Sequence, residues 1–402
     1  MRLAGVSMSA LLAASCAGSG SDVVTIPPST EARSETTSTT ADTVAEVFAE
    51  PAVTVADTTP PVGAATSEGP LADVCPAVVT MQIVDSPGPA VGALYRMLGP
   101  GAEVDETAAT SAGPIIRPDG TVEDVRLEIR SGGPMVGFEP PLDLLATDET
   151  LLLAQASTAD VVLAASEGID AISVIALTEK THQAVVWDPA TYPAATDIAS
   201  LGATGAEVRH VSGARVVEFL VERGVLDEEQ TTPGSDGGPA AFVESGGDIA
   251  QLGDLLIDPP LFESLPQWGR PVAAATARDE GWVGHDDTLA VRRSDLSTLG
   301  SCLGRLIPIV QASTAAYASD PTPTDQVMAS VRSRANPLNR VTSEMMDAGV
   351  ASGVAAGVFG NGPNDTVGDF DSDTLDDFAV ELGADSAEAA FTNDFLDPTI
   401  GF

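Results

Sequence analysis

Lysine is almost missing from this 402-residue chain: Lys180 is the single one, and 18 basic residues face 59 acidic ones for a formal net charge of −41. Nucleic acid needs Lys and Arg to neutralise its phosphates, and anionic headgroups need a basic surface, so both partners are excluded. Such a charge keeps a protein hydrated and monomeric. Histidine is equally scarce. His182, His210 and His285 show no metal-ligand spacing, and each reads as a solvated or core residue. No nucleophile elbow, phosphate loop or dinucleotide fingerprint occurs, and no internal apolar run reaches the length of a membrane span. The stretch "DFDSDTLDD" has the look of a calcium loop, but Thr374 stands where glycine is needed and Val380 where the bidentate Glu belongs. Asp371 or Asp373 is better read as a helix cap. Asp148 and Glu149 read as a solvated helix end rather than an acid–base pair. The inventory contains no catalytic group, and neither a metal nor a cofactor is expected.

Cysteine is the third scarcity, with three residues, and their positions are informative. Cys16 closes "MRLAGVSMSALLAASC", whose apolar run Leu3 to Ala14 is too short to span a bilayer but suits a signal h-region. A tract dominated by Ser, Thr, Ala, Pro, Asp and Glu follows; it cannot bury enough apolar surface to offset its ordering entropy. This start resembles a bacterial lipoprotein signal, with residues 1–16 as signal peptide, Cys16 lipidated and residues 17–72 as a flexible tether. Ala13 departs from that pattern, since Leu is usual there and Leu12 lies one place early. An ordinary secretory signal with an incidental cysteine is the alternative. Cys75 and Cys302 then remain as an even pair, which outside the cytoplasm is expected to be oxidised, with two buried free thiols as the other possibility.

From Pro76 the chain alternates between strand and helix patterns. "AVVTMQIVD" predicts a strand over Val78–Val84, followed by a Pro/Gly turn and a helix from Pro89. "DVRLEIRSGGP" predicts a strand over Val125–Ile129, "PPLDLLATDET" a short helix, "LLLAQAS" a strand, "STADVVLAASEG" a helix capped by Ser157 or Thr158, and "AISVIAL" a strand. This spacing implies a parallel sheet covered on both faces, with Gly101–Asp124 as an inserted loop or small hairpin. After a crossover near Thr178–Thr181 the alternation restarts: strands at "HQAVVWD", "AEVRHV" and "LGDLLIDPP", helices at "TDIASLG", "GARVVEFLVERGVL" and "GGPAAFVESGGDIA", and a return through "RPVAAATA". Beyond Trp282 the pattern is mainly helical. The reading is α/β, with two lobes joined by two crossover hinges: residues 73–179 and 280–402 form lobe one, and residues 180–279 form lobe two inserted into it.

Ligands of open α/β sheets collect beyond the carboxyl ends of strands, and helix N-termini there present unpaired N–H groups. Candidate binding residues are therefore Asp85 and Ser86 after the first strand, Ser157 and Thr158 at a helix start, Ser212 in the equivalent place of lobe two, and Asp258 after "LGDLLI". Trp187 and Phe262 are candidate cleft aromatics, with core packing as the alternative.

From Cys75 to Phe402 the chain resembles the extracytoplasmic solute-binding proteins of ABC importers, in the branch of nitrate, sulfonate, taurine and thiamine-precursor binders. The resemblance rests on "ASTADVVLAASEGIDAISVIAL", "GGPAAFVESGGDIAQLG", "CLGRLIPIVQASTAAYASDP" and the C-terminal "GVFGNGPNDTVGDFDSDTLDDF" with "TNDFLDPTIGF". It implies a two-lobe, type II periplasmic-binding-protein fold closing over a small molecule, with permease and ATPase partners and a lipid anchor on the outer face of the cell membrane. It also implies ligand roles for Asp85, Ser86, Ser157 and Asp258. The chain has "DPPLFE" where relatives often have Glu-Pro-Tyr, and it lacks an aromatic near Asp85. Two other readings stand beside this one: a sensor lipoprotein without transport partners, and a pyrimidine synthase-like enzyme. The enzyme would need clustered His and Cys around iron, which this sequence does not have.

Overall fold

The computed structural model describes residues 69–402, apart from residue 236 and residues 336–339. The predicted signal, the lipidation at Cys16 and nearly all of the predicted tether lie outside the described residues. The fold starts earlier than expected. Leu71, assigned to the tether, is fully buried, and its N–H donates to the Glu123 carboxylate at 2.9 Å.

Twelve strands among the described residues form two sheets. The first takes β1 (Val78–Gln82), β2 (Glu103–Asp105), β3 (Thr110–Ile116), β4 (Val122–Arg130), β5 (Leu153–Ala156) and β6 (Ile172–Ala176). The second takes β7 (Gln183–Trp187), β8 (Glu207–His210), β9 (Thr231–Pro233), β10 (Ile249–Asp254) and β11 (Ala273–Thr276), after which β12 (Thr288–Val291) returns to the first. Strand order is β2-β3-β4-β1-β5-β12-β6 in one sheet and β11-β7-β10-β8-β9 in the other.

The expectation of a parallel sheet holds only at its centre, where β1 pairs in parallel with β4 and β5. The returning β12 runs antiparallel to both β5 and β6, because it enters from the second sheet at the edge where those strands end. The insertion is no free loop: β2 and β3 extend the sheet as an antiparallel ribbon on β4. Alternation in "VEDVRLEIR" places one side chain in two against the core, as the pleat of a strand requires.

Helices cover both faces of each sheet. On the first, α1 (Gly92–Leu98), α8 (Leu296–Ser319), α9 (Thr322–Ala335) and α10 (Ser343–Ala356) bury one large aliphatic cluster around Val79, Met81, Leu127 and Leu306. On its other face α2 (Pro141–Thr147), α3 (Thr158–Ser166) and α11 (Ser372–Glu381) pack on Ala154, Ala156 and Ala290, and these small residues let the helices approach closely. In the second sheet α4 (Ile198–Gly202) and α5 (Arg215–Glu222) share a cluster with Val185, Trp187 and Val208. On the opposite face α6 (Ala240–Glu244) and α7 (Asp258–Ser264) bring Phe242 and Phe262 against Trp268. Burying each such aliphatic or aromatic side chain stabilises by roughly 1.5–3 kcal/mol.

"LGDLLIDPP" is strand only in its first three residues: β10 ends at Asp254, and Asp258 opens α7 with Pro259 and Pro260 in its first turn, where proline's missing N–H costs nothing. Asp371 caps α11 through Thr374 N–H, as the sequence indicated. Cys75 and Cys302 form a disulfide that ties the residues before β1 to α8.

Candidate ligand-binding cleft

Because β1, β4 and β5 are parallel, their carboxyl ends share one edge, and the start of β12 stands among them, with Thr288 opposite both Ala156 and Ala176. Glycine lets the chain pass this edge closely. A Cβ on Gly132 would lie 2.2 Å from the Val84 carbonyl, and one on Gly133, whose φ is +61°, would lie 2.4 Å from Asp85 Oδ1.

A cavity of about 410 Å³ opens beside this edge, lined by Val84, Gly133, Phe138 and Gln155 of the first sheet's segments, by Asp160 on α3 and by Arg215 on α5. Elements of both sheets thus contribute to one cleft. Arg215 Nε lies 3.9 Å from Asp160 Oδ1, with both side chains about half exposed, so the pair binds only weakly on its own. Phe138 presents its ring to solvent at 75% exposure. Glu139, Asp143 and Glu167 also line the cavity, so Arg215 is its single cation against four carboxylates.

Behind the cavity a polar chain runs from one sheet to the other. Gln155 Oε1 accepts from Val84 N–H at 2.8 Å, and its Nε2 donates to Asp287. Asp287 Oδ2 lies 2.7 Å from His182 Nε2, and His182 Nδ1 lies 2.9 Å from Asp254 Oδ1. Asp254 N–H donates to Asp258 Oδ2 at 2.7 Å. Asp286 binds the crossovers to each other by accepting from Thr181 Oγ1, His182 N–H and Gln183 N–H. Burial alone would lower the His182 pKa, but the carboxylates of Asp254, Asp286 and Asp287 outweigh it and hold the imidazole well above its ordinary value. Burial, helped by the Asp254 charge, pushes the Asp258 carboxyl up to about 7.

The predicted site residues separate into three groups. Asp85 is exposed at the strand edge beside the cavity, and Ser86 follows it, partly buried. Ser157 caps α3, accepting from Asp160 N–H at 3.1 Å and donating to Asp160 Oδ2 at 2.7 Å; its hydroxyl is engaged in the helix start. Ser212 is exposed between β8 and α5, two residues before the Ala214 cap. Thr158, Trp187, Asp258 and Phe262 are corrected by the structure. Thr158 is fully buried and joins the return crossover, its Oγ1 accepting from His285 N–H at 2.9 Å. Trp187 and Phe262 are 1% and 0% exposed inside the second sheet's two cores, which is the packing alternative. Asp258 faces its own helix start and Asp254. None of the eight predicted binding residues lines the cavity itself; its lining, with Gly133, Phe138, Gln155, Asp160 and Arg215, escaped the sequence reading. Gln155, a lone amide in an apolar strand, carried a legible signal, because a buried polar group requires partners.

No protein-family model matches the chain, and no curated protein matches it. Solved structures do. The periplasmic aliphatic sulphonate binding protein SsuA of Escherichia coli aligns with a TM-score of 0.52 at 11% identity, over 80% of this chain and 99% of that one. The alkanesulfonate-binding protein SsuA of Xanthomonas axonopodis pv. citri, bound to MOPS, aligns with a TM-score of 0.47 at 15% identity, over 79% and 99%. The periplasmic nitrate-binding protein NrtA of Synechocystis PCC 6803 gives 0.43 at 11% identity, over 67% and 69%. At such identities the likeness is one of fold: this chain has the two-lobed architecture of periplasmic binding proteins.

Proposed function

We propose that this chain is the extracytoplasmic binding component of an ABC importer, a monomer that captures a small polar organic solute and releases it unchanged to permease and ATPase subunits. The observation that carries this reading is a cavity lined from two separate sheets that are joined by only two crossovers, a geometry suited to closure about a hinge. The lobes divide at the crossovers, with residues 180–279 as the second, and Cys16 supplies the lipid anchor to the outer face of the cell membrane. Uptake of this kind needs no bond to be made or broken. Four carboxylates against one arginine favour a cationic or neutral solute, such as a thiamine or pyrimidine precursor, over a bare sulfonate or nitrate.

Thermal unfolding measured with sulfonates, nitrate, pyrimidines and thiamine precursors tests both parts. A cationic or neutral compound is expected to raise Tm through preferential binding to the folded state, and Asp160→Ala to reduce the shift. Stabilisation by none of these solutes counts against the binding role. Stabilisation by sulfonate or nitrate alone counts against the charge argument.

A further inference from the structure

A second cavity, of about 280 Å³, shares no lining residue with the cleft. It lies where the two crossovers meet the C-terminal segment, among Glu179, Arg278, His285, Gly362, Asp369 and Thr374. Asp369 is 2% exposed; its Oδ2 accepts from Asn364 N–H and Nδ2, yet its buried Oδ1 has no hydrogen-bond partner among the described residues. Glu179 Oε2 is likewise buried and has no partner among the described residues. Gly362 shows that both oxygens converge, since a Cβ there would lie 1.8 Å from Asp369 Oδ1 and 3.1 Å from Glu179 Oε2. A buried acceptor to which no protein group donates is costly, so a pair aimed at one spot suits a cationic donor. Burial and the Asp369 charge raise the Glu179 carboxyl to about 7, a penalty that such a donor would relieve.

Arg278 supplies the opposite charge. Its Nη1 donates to the Val283 carbonyl at 2.8 Å, and it enters no ion pair among the described residues. A divalent metal fits poorly. No group of three His, Cys, Asp or Glu side chains suited to a metal exists among the described residues, and Arg278 and Lys180 already act on Glu179 as neighbouring cations.

We infer that this cavity binds the zwitterionic backbone of a free α-amino acid, its ammonium donating to Glu179 Oε2 and Asp369 Oδ1 and its carboxylate accepting from Arg278. The site is independent of the proposed cleft ligand. Because Glu179 follows β6 and Arg278 lies on the return crossover, an occupant bridges the two crossovers.

Isothermal titration calorimetry of the full chain with glycine, L-serine, L-leucine and L-glutamine tests this, with methylamine, acetate and calcium chloride as separate titrants. At least one amino acid is expected to bind saturably while methylamine and acetate do not. Arg278→Gln and Asp369→Asn are each expected to weaken that binding about tenfold or more, and Arg215→Gln, in the other cavity, to leave it unchanged. If circular dichroism shows Asp369→Asn unfolded, the half-buried Arg278→Gln decides. No binding by any of the four amino acids, binding that survives Arg278→Gln, or calcium binding reversed by a chelator would overturn the assignment. Loss of binding in Arg215→Gln would move the amino acid to the cleft and overturn it equally.

Discussion

His182 is the side chain on which the two sheets converge. It leaves the first sheet through the crossover, contacts Asp254 at the end of β10 and meets Asp287 at the start of β12. Its raised pKa has a definite sign in the energetics. A histidine that binds its proton more tightly when folded contributes stability that is full below its unfolded value of about 6.5 and is lost as pH rises through the higher folded value. His182→Gln is therefore expected to lower the urea midpoint clearly near pH 6 and progressively less at alkaline pH. A loss of equal size at every pH would show that the ring acts through packing alone. None of these partnerships was legible in the sequence, because the contacting residues lie 72 and 105 positions from His182. The aromatic candidates failed for a related reason: a tryptophan in an apolar strand is equally suited to a cleft wall and a core, and sheet pairing put Trp187 inside.

At the scale of elements, local pattern was a better guide. The amphipathic α5, the Ser157 cap of α3, the Asp371 cap of α11 and the long α8 follow directly from spacing and capping residues. Pairing direction did not, since strand character says nothing about which neighbour a strand will meet. The ribbon of β2 and β3 illustrates this, since in sequence it has the appearance of an insertion between a helix and the next strand. The disulfide closes a long covalent loop, joining residues 227 apart. Constraining so long a loop reduces the entropy of the unfolded chain, so Cys302→Ser is expected to cost about 2–5 kcal/mol in denaturant unfolding. A change below about 1 kcal/mol would show that α8 and β1 are held together by packing without the cross-link.

For the whole molecule, acidity governs stability. Besides Glu179 and Asp258, burial together with Asp347 raises the Asp325 carboxyl to about 8, where Tyr317 Oη donates to Asp325 Oδ1 at 2.7 Å. Acids with raised pKa values hold protons in the folded state that the unfolded chain releases above about pH 4, so their ionisation removes stability between about pH 4 and 8. Growing repulsion in a chain of net charge −41 acts in the same direction. Carboxylates held below their ordinary range oppose it. Burial raises Glu123 and Asp188, but the Leu71 N–H with Arg117, and the Ala190 N–H with Arg270, outweigh it, and their contribution disappears as pH falls through those depressed values. Stability is thus expected to peak in mildly acidic solution near about pH 5 and to decline through neutrality. Urea midpoints measured across that range check it, with Asp325→Asn flattening the decline; a midpoint still rising at pH 8 would contradict it.

Composition and periodicity by themselves determined the acidic surface, the two runs of alternating strands and helices, the even cysteine pair and the edge of the first sheet where Asp85 lies, because these depend on residues close in sequence or on totals. Only the tertiary structure decided which polar groups meet. Gln155 reaches Asp287, Arg215 approaches Asp160, and Asp369 and Glu179 converge on Gly362. Those contacts depend on strand order and on the return of β12, long-range pairings that are set by burial of the whole core and leave no periodic trace in the chain.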